Sequence, residues 1–270
     1  MFLMVSIATL LVIFSQPLPQ QGVTIWVFDV GQGDAIFIDA PHKQMLIDGG
    51  PDEVVLERLA AVMPWWDRSI DIVINTHPHA DHLAGLMPVL ERYKVAQVLD
   101  ADQGYGTPEF ARYLELAGPQ RSSLAGDVTV DLGDGIRLKT LAPMMAFGDN
   151  VLEDPNDGSI VFLLEYGETS MLLTGDAGTE EEVEWNVGDI NILKVGHHGS
   201  DTSTSQDFLE RTNPEVAIIS VGEGNDYGHP STFVVDRLER AGAVVYRTDQ
   251  HGSVRVKVVG DEYFIKTFVF

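Results

Sequence analysis

Apolar runs of about four to eight residues, each closed by glycine, aspartate, asparagine or proline, recur from Val23 onward and constrain the fold more than any other feature. "VTIWVFDV" alternates like a half-buried strand, and "DAIFIDA" follows as its partner. "QMLIDGG" is a third strand closed by a Gly-Gly turn. "SIDIVINT" has the continuous apolar character of a buried strand. Helical spacing appears in "DEVVLERLAAVM", in "DHLAGLMPVLERY" and in "TPEFARYLELAG", the last with proline early and glycine at its end. "DVTVDLGDGIRLKTLAP" reads as two strands turned at Asp134–Gly135, and "SIVFLLEYGETSMLLTGD" as a hairpin turned near Gly167. "INILKVGHHGS", "EVAIISVG", "AVVYRTD", "SVRVKVV" and "EYFIKTFVF" are further strands, with a helix at "TFVVDRLERAG". The order predicts an α+β domain, two sheets in contact with helices outside.

Composition narrows the chemistry. The 270 residues include no cysteine, which excludes disulfides, iron–sulfur clusters and thiolate zinc sites. Any metal must be held by His, Asp, Glu or Asn, which suits zinc or manganese. The 41 acidic and 17 basic residues give a formal charge of −24. Such a surface repels polyanions, and no run of Lys or Arg offers the grip of a typical DNA-binding module.

No charged side chain precedes Asp29. "MFLMVSIATLLVIF" is shorter than the roughly 20 residues of a spanning helix and lacks the basic start of a signal peptide. An anchor, a signal-like segment and the tail of a membrane helix are all compatible with it, and the last is favoured. Residues 1–22 are read as this apolar segment with its linker, and residues 23–270 as the globular domain.

"NTHPHADHLAGL" carries the chemistry. In extended backbone His77 and His79 point to one side, Asp81 continues the alternation, and His82 follows as the chain turns into a helix. The four present two ligand pairs, His77 with His79 and Asp81 with His82. That arrangement suits two metals about 3.5–4 Å apart, a spacing that clamps attacking and leaving oxygens. Three weaker signals follow: Asp176 in "LLTGD", where a carboxylate can bridge two metals; His197 and His198 in "VGHHGS"; and His229 in "YGHP". Asp48 in "LIDGG" is a candidate acceptor for a ligand histidine N–H. Asp29, Gln32 and Asp34 in "FDVGQGDA" either line the cleft or serve the turn. His251 in "TDQHGS" is expected in a hairpin turn, away from any metal.

The motif set resembles the metallo-β-lactamase superfamily. More narrowly, "FDVGQGDAIFI", "LIDGG", "THPHADHLAGL", "LLTGD", "LKVGHHGS", "NDYGHP" and "YRTDQHGSVRV" resemble, in order, the C-terminal domain of the ComEC family of competence DNA-uptake channels. The resemblance implies an αββα sandwich with two zinc or manganese ions at one edge. It implies that His77 and His79 hold the first metal and that Asp81 and His82 hold the second, with Asp176 bridging. Of the histidine pair, His198 is assigned as ligand and His197 as a substrate-facing neighbour. The superfamily usually supplies a third histidine to the first metal, yet none lies between His82 and His197. Asp157 or Asn156, in "EDPNDGS", sits at the matching place, and Asp157 is expected to substitute as a harder oxygen ligand, shifting preference toward manganese. The alternative is a weakly held first metal and a site that works with one ion.

The implied function is that of a metal-dependent phosphodiesterase, a nuclease on the DNA strand not carried into the cell. Asp81 would orient the attacking water, and His229 or His197 would protonate the leaving oxygen. The implied setting is a membrane-associated domain on the outer face, beside a channel domain of the same or another chain. Two alternatives remain open: hydrolysis of a smaller phosphodiester or ester of the cell envelope, and a non-catalytic channel module with a metal-stabilised fold.

Overall fold

The computed structural model describes residues 22–270. The apolar segment and linker lie outside the described residues up to position 21. Among the described residues no helix is long and apolar enough to cross a membrane.

The first six strands are β1 (Val23–Val27), β2 (Ile36–Asp39), β3 (Gln44–Ile47), β4 (Ser69–Ile74), β5 (Lys94–Asp100) and β6 (Arg121–Ser123). They form one sheet with β14 (Ser253–Val259) and β15 (Glu262–Phe268), in the order β15-β14-β1-β2-β3-β4-β5-β6. The second sheet contains β7 (Thr129–Gly133), β8 (Ile136–Ala142), β9 (Val161–Tyr166), β10 (Thr169–Leu173), β11 (Ile192–Lys194), β12 (Val216–Ile219) and β13 (Val244–Arg247). Its order is β13-β12-β11-β10-β9-β8-β7. Pairing from β1 to β3 is antiparallel at both steps, and β3 to β4 is parallel. So β1, β3 and β4 all run toward the same pole of the sandwich.

Period-two alternation builds the layers. Ile25 and Val27 of β1 face the second sheet and pack with Phe162, Met171, Ile192 and Ile218. Trp26 and Phe28 face the other way, onto helices α1 (Val54–Val62), α3 (Leu86–Arg92) and α4 (Pro108–Ala117), through Val55, Leu59, Val89, Phe110 and Tyr113. The outer face of the second sheet, with Leu172, Leu193 and Ala217, is covered by Trp185, by Phe208 of α6 (Gln206–Thr212) and by Leu238 of α7 (Thr232–Arg240). The result is the expected sandwich of helices, sheet, sheet and helices.

The helix expected over "DHLAGLMPVLERY" is broken into α2 (Ala80–Leu83) and α3. Gly85 lies at the break because two backbones cross there. A Cβ at Gly85 would lie 1.9 Å from the Gly49 carbonyl oxygen. The Gly85 N–H donates to Gly50 O at 2.9 Å, and the Gly49 N–H to His82 O at 2.7 Å. This crossing ties the loop after β3 to the loop after β4. Two shorter helices complete the chain, α5 (Thr179–Glu182) and α8 (Thr248–His251). The latter replaces the hairpin turn expected at "TDQHGS": the chain makes one helical turn there before β14.

Candidate metal centre

Strand β4 ends in a loop whose geometry is set from below. Asp48, just past β3, accepts Thr76 N–H at 2.8 Å on one oxygen. Its other oxygen takes the Thr76 hydroxyl at 2.7 Å and lies 2.8 Å from His82 Nδ1. Because a carboxylate only accepts, the Nδ1 proton of His82 is fixed and Nε2 is turned toward the cleft. The Asn75 amide donates to His77 O at 2.7 Å and holds the loop closed. His77 is buried with its Nε2 3.2 Å from His79 Nδ1, and the two rings meet edge to face.

The second sheet brings its own groups to the same point. Asp176 follows β10, and His197 and His198 follow β11. Both histidines adopt left-handed backbone, at φ 47° and 52°, a conformation that costs non-glycine residues energy and needs support from its surroundings. Support comes from Ser203, whose hydroxyl donates to Gly196 O at 2.7 Å, and from the Ser231 N–H on Gly199 O at 2.8 Å. His198 Nδ1 donates to Ser220 O at 3.0 Å, which turns Nε2 inward. His198 Nε2 then lies 3.3 Å from both Asp81 Oδ2 and Asp176 Oδ2, and His82 Nε2 lies 3.3 Å from Asp176 Oδ2.

Asp81, His82, Asp176 and His198 thus converge with ligand atoms within 4.8 Å of one another. His82 Nε2, His198 Nε2 and Asp176 Oδ1 are buried and make no hydrogen bond, despite the short carboxylate distances. Such orphaned groups are costly unless a cation takes them up. The donor set, imidazole nitrogen with carboxylate oxygen, suits zinc or manganese.

The electrostatics point the same way. Burial disfavours ionised Asp176, but His198 and His82 outweigh it and hold the carboxyl well below its usual range. Burial opposes charge on His198, yet Asp176 and Asp81 raise its pKa to about 10. His82 is likewise raised against burial, by Asp176 and Asp48. The carboxylate field that favours a proton on these rings equally favours a metal cation between them. His77 goes the other way, lowered by burial and by His82.

The cluster opens into a cleft of about 580 Å³ lined by Gln32, His79, Asp81, Asn156, His197 and His229, among others. His197 and His229 stand at its outer side with ring centroids 5.8 Å apart, and burial lowers both pKa values. The structure does not bring in Asp157, whose side chain is exposed and does not line the cleft. The one-turn 3₁₀ helix Pro155–Gly158 turns Asn156 inward instead, buried and with Oδ1 unpartnered. Asp29 serves the turn, accepting Gly31 N–H at 3.3 Å. His251 remains local, its Nδ1 3.0 Å from the Arg247 amide nitrogen.

Asp34 is buried under the cluster, 2.7 Å from Lys194 Nζ and 3.6 Å from His198 Nδ1. Lys194 is fully buried, and sequence reasoning missed it. The signal was available: a lysine inside the continuous apolar run "INILKV" needs a buried partner. Tyr105 and Tyr227, also missed, line the cleft.

The metallo-β-lactamase superfamily profile matches residues 28–223. The chain belongs to that superfamily. It is 30% identical over 261 residues to ComE operon protein 3 of Bacillus subtilis, covering 86% of this chain and 32% of that protein. It is 32% identical over 249 residues to Recombination protein 2 of Haemophilus influenzae, covering 88% and 29%. It is 28% identical over 250 residues to Competence protein ComA of Neisseria gonorrhoeae, covering 89% and 33%. The chain therefore spans about a third of the length of these relatives. Among solved structures, YhfI from Bacillus subtilis, a metallo-β-lactamase fold protein, superposes with a TM-score of 0.59 at 10% identity, covering 91% of this chain and 100% of YhfI. CmlA, a diiron β-hydroxylase from Streptomyces venezuelae, gives 0.56 at 18% identity, covering 90% and 55%. The superfamily, its sandwich and the likeness to competence proteins are as the motifs implied.

Proposed function

We propose that the chain is a metal-dependent phosphodiesterase that cleaves single-stranded DNA during competence uptake, on the strand left outside the cell. The observation that carries this reading is the convergence of three buried, unpartnered donor atoms, from His82, Asp176 and His198, the last two residues lining an open cleft. His77, His79 and Asn156 would hold one divalent cation, and Asp81, His82 and His198 a second, with Asp176 between them. A bound cation supplies positive charge that acidifies water and steadies phosphoryl oxygens. Asp81, with its side chain 30% exposed, orients the water that adds to phosphorus. The bond from phosphorus to the leaving oxygen breaks as that oxygen takes a proton from His229 or His197. The likeness to competence proteins supports the DNA substrate and a membrane-associated setting beside a channel domain.

Among the described residues no Lys or Arg lines the cleft. That favours, as the second reading, hydrolysis of a smaller phosphodiester or ester in the cell envelope. Cleavage of a single-stranded oligonucleotide and of a small phosphodiester is to be compared in chelated protein resupplied with manganese or zinc. Metal-dependent cleavage of the oligonucleotide, lost in His79→Ala and His82→Ala with the circular dichroism spectrum intact, is the expected result. Cleavage of only the small ester supports the second reading. No hydrolysis of either would leave a non-catalytic channel module.

A further inference from the structure

Beside the metal cleft lies a second groove of about 340 Å³, and Tyr227 and His229 line both. Their rings stack at 5.9 Å with an interplanar angle of 15°. Phe233, at the start of α7, lines the outer groove alone. Tyr227 and Phe233 are each 71% exposed, so both rings are open to a ligand from solvent. Among the described residues the groove's one carboxylate is Asp201, with the Ser200 and Ser231 hydroxyls nearby. No Lys or Arg among the described residues lines the groove, and Asp201 repels a phosphate. A flat, neutral ring with N–H donors has both aromatic faces to stack on and a carboxylate to receive its donors.

We infer that this groove is a nucleobase subsite, holding the base of the nucleotide on the His229 side of the scissile phosphate. The inference rests on the phosphodiesterase reading and names how that site would grip its substrate. Bases stack on aromatic side chains whatever their sequence, and stacking here requires the base to leave a duplex. A strand held this way is held by its bases, with the metals meeting its phosphate. That resolves the conflict between a DNA substrate and a charge of −24.

The test uses the whole chain and two oligonucleotides, identical except that one has an abasic nucleotide beside the cleavage position. The wild type is expected to bind the base-containing strand about 5- to 150-fold more tightly, the range of one stacked base. Phe233→Ala should erase most of that preference, and Phe233→Trp should keep it. A 2-aminopurine at the same position should lose fluorescence on binding, with metal withheld so that nothing is cleaved. Equal affinity of the wild type for the two strands would overturn the inference even if both are cleaved. Quenching and base preference without any cleavage would keep the subsite and overturn the phosphodiesterase reading.

Discussion

Asp48 Oδ2 lies 2.8 Å from His82 Nδ1 and also takes the Thr76 hydroxyl at 2.7 Å. One buried carboxylate therefore fixes both the tautomer of a candidate ligand and the start of the ligand loop. Partners of this kind typically contribute 10- to 100-fold in metal affinity. Asp48→Asn should weaken zinc or manganese binding by about that factor, measured by calorimetry on chelated protein. Unchanged affinity would mean that the loop holds His82 without Asp48.

The inward turn of Asn156 separates two neighbouring substitutions. Asn156→His should raise zinc affinity relative to manganese, because imidazole is the softer ligand. Asp157→His, on an exposed side chain, should leave metal preference and stoichiometry unchanged. The comparison is read by competitive metal titration. A response at 157 with none at 156 would reverse the assignment.

Lys194 and Asp34 form a fully buried ion pair at 2.7 Å. Removing one partner of such a pair typically costs about 3–5 kcal/mol, because the other charge stays buried alone. Lys194→Met should lower stability by about that amount, and adding Asp34→Leu to it should restore part of the loss. Urea midpoints of the single and double variants measure the coupling. Additive losses would show that the two charges act independently.

Among the described residues the cleft offers no Lys or Arg to phosphates, so the salt dependence of DNA binding should be shallow. Each neutralised phosphate of a single strand contributes a slope of about −0.7, and one or two contacts give roughly −1. A steep slope in anisotropy titrations would reveal a basic track elsewhere on the surface.

Much of this was legible in the sequence for a physical reason. Strands such as Val23–Val27 bury alternate residues on two apolar layers, so period two is written directly in the chain. The HxHxDH spacing likewise constrains where ligand atoms point. What was hidden depended on contacts between distant segments. The break at Gly85 exists because Gly49 crosses it. Strand β5 escaped notice because its first four residues, Lys94–Gln97, are mostly at the surface and carry no alternation. Asn156 and Asp157 are adjacent and both oxygen donors; only the 3₁₀ turn decides which faces inward.

The direction of β1 sets the start of the described chain apart from the cleft. The strand begins at Val23 and runs toward the pole where His77, Asp176 and His198 gather. Five residues of extended chain span about 17 Å. Gly22 therefore lies at the base of the sandwich, with the cleft at its far end. The described chain thus enters the sandwich at one pole and gathers its candidate ligands at the other, so the cleft opens away from the point of entry.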